Sequence, residues 1–440
     1  MDWMNAIDSA VRFEMCQRRE EGCDLSEIEG RVEDALKVND AEKLHLLLSE
    51  LDSLEPAASF PYSEPSDLES IRAERPDGPR RVAVNLTEAE TLDRIHGAWL
   101  GRAAGCTLGK PVEKWTKAMI DSYLEFARAL PLDDYIPLVE GYPEGHPDEY
   151  TMGSPECTRG RIEYMARDDD MDYPILGLHL LESKGGDFTS KNVADTWLSR
   201  MPYNLLYTAE RVAYRNLVND LWPPESATYR NHFREWIGAQ IRADIWGYAA
   251  PGWSEKAAAL AFRDATVSHV KNGIYGEMFV ASMLAAAFVS ADVEEIITIG
   301  LSEIPKNCRF AEAVQETVGW CNGEDDWELV WAKINEKYGH YCAVHTINNA
   351  ALVVMALMCG RGDYETTIVT AVRGGWDTDC NGATAGSICG MILGAGALPE
   401  KWVGVLNDRL MSAVRGFEES AISDLAQRSH TVAKKIIEAG

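Results

Sequence analysis

The stretch "HGAWLGRAAGCTLGKPVE", residues 96–113, carries glycine at 97, 101, 105 and 109. Four-residue spacing puts all four on one face of a helix. Glycine costs about 1 kcal/mol relative to alanine inside a helix, so such a stripe predicts close approach of another backbone. Thr87 and Glu90 upstream form a capping-box pattern that starts the helix, and Pro111 breaks it and opens a loop. Residues 381–397, "NGATAGSICGMILGAGA", are equally small and suit a buried helix packed closely at the centre. Between the two lie alanine-rich runs of helical periodicity, such as "SEKAAALAFRDATVSH" and "GEMFVASMLAAAFVSA". Alternating β-type runs are nearly absent, so the expected fold class is all-α.

Outward from this core the chain divides by composition. Residues 1–54 are charged and helix-favouring, with apolar residues at Ile28, Val32, Ala35 and Leu36, then at Leu44, Leu47, Leu48 and Leu51. A break at "VNDAE" predicts a helical hairpin. Residues 55–82 are rich in proline and polar residues and read as a linker or a strap over the surface. Residues 83–440 form the main helical domain. The N-terminal hairpin is expected to act as a lid or an oligomerisation element.

The 440 residues are 46% hydrophobic, with mean hydropathy −0.22, as in a water-soluble globular protein. No run approaches the roughly 20 apolar residues of a membrane span. The N-terminal "MDWMNAIDSAVRFEM" has no basic region followed by an apolar one, and ten scattered cysteines read as reduced thiols, so a cytoplasmic location is expected. A net charge of −28 disfavours the phosphate contacts of nucleic-acid binding and favours attraction of cations.

Two acidic stretches stand out. "ARDDDMDYPILGLHLLES", residues 166–183, places Asp168, Asp169, Asp170 and Asp172 at the head of an apolar run. "AVRGGWDTDCNGATAGSICG", residues 371–390, places Asp377 and Asp379 just before the small-residue helix. Each sits at a predicted helix N-terminus, where the helix dipole favours negative charge. That dipole cannot neutralise five carboxylates in one pocket. Hard divalent cations can, and oxygen donors favour Mg²⁺, Mn²⁺ or Ca²⁺ over zinc. Cys342 and His345 have the spacing of half a zinc site, without a second half.

The segments "HGAWLGRAAGCTLGKPVE", "ARDDDMDYPILGLHLLE" and "GGWDTDCNGATAGS", in that order and at that separation, resemble the ADP-ribosylglycohydrolase family, which includes the enzyme that reactivates ADP-ribosylated dinitrogenase reductase. The resemblance runs from Thr87 to Trp402 within "GALPEKW". It implies a single large orthogonal helical bundle and a site for two Mg²⁺ or Mn²⁺ ions, held by Asp168, Asp169, Asp170, Asp377 and Asp379. Asp168 falls where relatives carry a hydroxyl residue. Met171 and Cys380 replace threonines, Cys106 replaces an aspartate, and Trp376 replaces a glycine. Glu113 stands where some relatives have a catalytic glutamate, and Glu113, Asp169 and Asp379 are the implied catalytic groups. Gly105, Gly109, His269, Asn272, Tyr275, Gly375 and Trp376 are the implied substrate contacts, with Arg242, Asp244 and Glu277 on neighbouring pocket helices. Trp376 would stack on a sugar or base, or else narrow the cleft.

The reaction so implied is hydrolysis of a ribosyl C1 glycosidic bond in an ADP-ribosylated or ADP-ribose-like small-molecule substrate. A nucleoside N-ribosidase, a metal-dependent phosphohydrolase and a non-catalytic crystallin-like relative are the other classes that fit such residues. The last would have lost metal ligands, whereas all five aspartates are present here.

Overall fold

The structure, a computed structural model, describes residues 6–439 as twenty-one α-helices and one two-stranded antiparallel sheet, Arg409–Met411 with Glu419–Ala421. The fold is all-α. Helices α1 (Ile7–Glu20), α2 (Glu29–Lys37) and α3 (Ala41–Asp52) close over a small core of their own, built from Val11, Val32, Leu44 and Leu48 among others. Helix α4 (Leu68–Glu74) interrupts the strap over residues 55–82. Arg75, just past α4, pairs with Glu255 at 2.7 Å and with Glu303 at 2.5 Å, tying the strap to the main domain.

At the centre lies α5 (Glu88–Gly109), started by the Thr87–Glu90 capping box. It packs antiparallel against helix Thr378–Leu393, backbone on backbone. A Cβ added at Gly97, Gly101, Gly105 or Gly109 would overlap the carbonyl oxygen of Gly390, Gly386, Gly382 or Thr378 respectively. The relation is reciprocal, since a Cβ at Gly382, Gly386 or Gly390 would strike the opposite glycine carbonyl of α5. Only residues without side chains permit this approach. Both glycine stripes advance by four, so the register of the two helices is set along their whole contact. Further helices enclose the pair, including α6 (Lys117–Phe126) and α7 (Asp169–Lys184). No helix among the described residues is long and apolar enough to cross a membrane.

Helix α1 turns a charged face inward. Glu14 accepts from Arg234 at 2.9 Å and contacts His232 Nδ1 at 2.8 Å, Glu21 pairs with Arg234 at 3.1 Å, and Gln17 donates to Glu235 at 2.7 Å. Phe13 packs edge-on against Phe233 and Trp236. This face of α1 is therefore engaged within the chain.

Two stability tests follow from the packing. Gly105→Ala should lower stability by about 1–3 kcal/mol, because the added methyl forces apart two backbones. The matched control Gly30→Ala, on α2 with open space around it, should raise stability by about 0.4–1 kcal/mol. Denaturant titrations that show both changes equal in sign would contradict the packing account. Burial, with the charge of Glu235 added, pushes Glu20 up to about 8 from an ordinary 4.5. A carboxyl raised on folding contributes stability below its unfolded value and loses it as pH rises to about 8. The melting-temperature advantage of Glu20→Gln over the parent should therefore grow from pH 5 to pH 9; a constant difference would contradict it.

Candidate active site

The last rung of the glycine contact anchors the site. Thr378 Oγ1 donates to the carbonyl of Gly109 at 2.8 Å, so the end of α5 meets the start of helix Thr378–Leu393. Beyond it, Lys110–Val112 make a 3₁₀ turn and the chain runs alongside residues 374–376. Lys114 N donates to the Trp376 carbonyl at 2.8 Å, and Trp376 N to the Trp115 carbonyl at 2.9 Å. Gly375 has φ +80°, and a Cβ there would stand 2.6 Å from Lys117 N, so glycine is required. Trp376 follows at φ +64°, an uncommon conformation for a bulky residue. This turn holds Asp377 and Asp379 beside Glu113.

The second acidic segment arrives on α7. Asp168 is its N-cap, accepting from Asp170 N at 2.9 Å. Arg102 of α5, wholly buried, donates to the carbonyl of Asp170 at 2.8 and 3.0 Å, to Asp170 Oδ1 at 3.1 Å and to Asp244 at 2.7 Å. Cys380 Sγ donates to Asp170 Oδ2 at 3.2 Å, which joins the two acidic segments directly. Donor atoms of Cys106, Asp168 and Asp170 lie within 4.8 Å of one another, as do those of Asp377, Asp379 and Cys380. Glu113, Asp168, Asp169, Asp170, Asp377 and Asp379 all line one cavity of about 750 Å³.

Electrostatics separate these carboxylates. Burial pushes Asp169, Asp170 and Asp379 well above the usual carboxylate range, and their acidic neighbours add to it. Burial and the charge of Glu113 raise Asp377 to about 6. Asp168 alone is lowered: against the cost of burial, the ammonium of Lys110 bonds directly to its Oδ2. Asp379 Oδ1 is buried with no hydrogen-bond partner among the described residues. An orphaned acceptor among oxygen donors fits a divalent cation held by Asp377 and Asp379, in the cavity that Asp169 also lines.

Other expected residues lie elsewhere. Gly105 and Gly109 sit in the helix contact, facing backbone. Tyr275 OH bonds to the carbonyl of Pro65, and Asn272 bridges Glu235 Oε2 (2.7 Å) and Phe310 N (3.0 Å). His269 contacts the Ser268 hydroxyl behind Glu210, at 4.0 Å from its carboxylate. Gly375 backs onto Lys117, and Trp376 is buried in the main core. None of these seven is among the residues lining the cavity. Asp172 also turns away, to Arg167 at 2.7 Å and Ala413 N at 2.8 Å. Arg242 is buried among Glu210, Asp264 and Glu277, and His345 caps helix Thr346–Gly360. Sequence reasoning passed over Lys110, Lys114, Arg167, Trp236 and Phe13, all of which line the cavity.

Comparison with known proteins bears on the family and the fold. The family model for ADP-ribosylglycohydrolase matches residues 87–435. A search of curated proteins returns no match. A solved structure described as an ADP-ribosylglycohydrolase-related protein complex is similar with a TM-score of 0.50 at 19% identity, covering 79% of this chain and 99% of that one. At that identity the likeness supports the fold alone. The family match spans most of the chain, glycine stripe and both acidic segments included, and the chain therefore belongs to the ADP-ribosylglycohydrolase family.

Proposed function

We propose that the protein is a cation-dependent glycohydrolase that cleaves the ribosyl C1 bond of an ADP-ribosyl substrate. The observation that carries this reading is the convergence of Asp169, Asp377 and Asp379 with Glu113 on one cavity. Mg²⁺ or Mn²⁺ is the ion such oxygen donors favour. Bound there, it would supply Lewis acidity and hold vicinal ribose hydroxyls.

The protein's own groups account for the rest. Cleavage builds positive charge on the ribose ring as the leaving group departs. Held ionised by the cation, the carboxylates of Asp377 and Asp379, with Asp169 lining the same cavity, would offset part of that charge. Glu113 reaches the cavity from the loop after α5, its carboxylate paired with Lys114 at 2.7 Å. From there it is placed to accept a proton from the attacking water or to donate one to the leaving group. Lys114 and Arg167 give the cavity a cationic side suited to a diphosphate, while the exposed ring of Tyr207 offers a surface to a base.

Glu113→Gln should lower kcat by about 10²- to 10⁴-fold, the usual contribution of a positioned acid or base, with cation affinity retained. Asp377→Asn should lose both turnover and cation affinity. Release of free ADP-ribose from ADP-ribosylated peptides and small molecules, followed by chromatography, measures turnover, and equilibrium dialysis against Mn²⁺ measures cation affinity. Undiminished release by either variant, or hydrolysis of free nucleosides alone, would contradict the reading.

A further inference from the structure

We infer that Lys110 takes the place of one of the two metal ions implied by the family resemblance, so that this chain binds a single divalent cation. The inference rests on the proposed cation site and deepens it.

Asp168 Oδ1 accepts from Asp170 N at 2.9 Å, and its Oδ2 takes the Lys110 ammonium. Asp170 Oδ1 accepts from Arg102 at 3.1 Å, and its Oδ2 from Cys380 at 3.2 Å. Every oxygen of these two side chains thus faces a protein donor, two of them cationic. Asp379 differs, with its buried Oδ1 left unpartnered. The acidic cavity therefore divides into a half whose carboxylate oxygens, those of Asp168 and Asp170, are all hydrogen-bonded within the protein, and a half around Asp377 and Asp379 with an uncommitted oxygen, Asp169 lining the same cavity.

Lys110 is suited to this role. Its side chain is only 16% exposed, and its ammonium bonds directly to Asp168 Oδ2. An ammonium is a compact cation with three donors and no acceptor. A divalent ion on Asp168 would have to displace it into a largely buried surrounding without another carboxylate bonded to it. Each half carries one sulfur, Cys106 beside Asp168 and Asp170 and Cys380 beside Asp377 and Asp379, and Cys380 is already bonded to Asp170 Oδ2. The octahedral shell of six oxygens that Mg²⁺ demands is better approached in the other half, where a carboxylate oxygen is uncommitted.

The test counts ions. Full-length protein stripped with chelator is titrated with Mn²⁺, free Mn²⁺ is followed by electron paramagnetic resonance, and bound metal is measured after desalting. The expected result is one Mn²⁺ per chain, rising twofold to two in Lys110→Met. Asp168→Asn, which keeps the N-cap acceptor, should still bind one and serves if the lysine variant does not fold. Two ions in the parent would overturn the inference and leave the glycohydrolase reading standing. One ion in a folded Lys110→Met, or loss of the ion in Asp168→Asn, would overturn the role given to Lys110 or Asp168. No ion in the parent would overturn the cation-dependent reading itself, and this inference with it.

Discussion

Backbone-to-backbone packing of α5 on helix Thr378–Leu393 holds the two acidic segments in one place. The contact is made of glycine against carbonyl at Gly97, Gly101 and Gly105, and its register cannot slip without bringing side chains into the gap. Its last rung, Gly109 with Thr378, lies directly before Lys110 on one chain segment and Asp379 on the other. Arg102, on α5, then draws in the start of α7 through the Asp170 carbonyl. One helix pair thus positions all three segments of the site, and the chemistry inherits its geometry from steric exclusion.

Charge is the second organising term. The cavity gathers more carboxylates than its walls neutralise, and the protein resolves this unevenly. Lys110 and Arg102 pair with Asp168 and Asp170, yet Asp168 alone is lowered; Asp169, Asp170, Asp377 and Asp379 keep a raised proton affinity, and Asp379 an orphaned oxygen. Buried carboxylates of this kind are costly unless a proton or a cation accompanies them. A cation-binding role makes physical sense of the imbalance, because the same carboxylates can stabilise the positive charge that develops on a ribose ring.

Much of this was legible in the residues, for identifiable reasons. Glycine at four-residue spacing has one strong physical explanation, and the all-α class followed from it and from the helical periodicity around it. Aspartates at two helix starts were conspicuous because carboxylate clusters are costly. His269, Asn272 and Tyr275 stand among apolar neighbours, and whether such a polar residue faces a ligand or a buried partner depends on residues far along the chain. Here the partners are Ser268, Glu235 and the Pro65 carbonyl. Trp376 lies one residue from Asp377, yet its left-handed backbone turns it into the core. Lys110 was hidden because a lysine at the start of a loop ordinarily reads as solvated. The inward, charged face of α1 was equally hidden, since Glu14 and Glu21 look like surface residues until Arg234 is beside them.

The central claim is that the open half of the acidic cavity is where a divalent cation sits. Crystals grown with Mn²⁺ and measured at a wavelength that excites its anomalous scattering would locate the ion directly. The account predicts an anomalous peak bounded by Asp169, Asp377 and Asp379, within about 2.0–2.6 Å of their oxygens. A cavity without a peak, or a peak elsewhere on the molecule only, would contradict it.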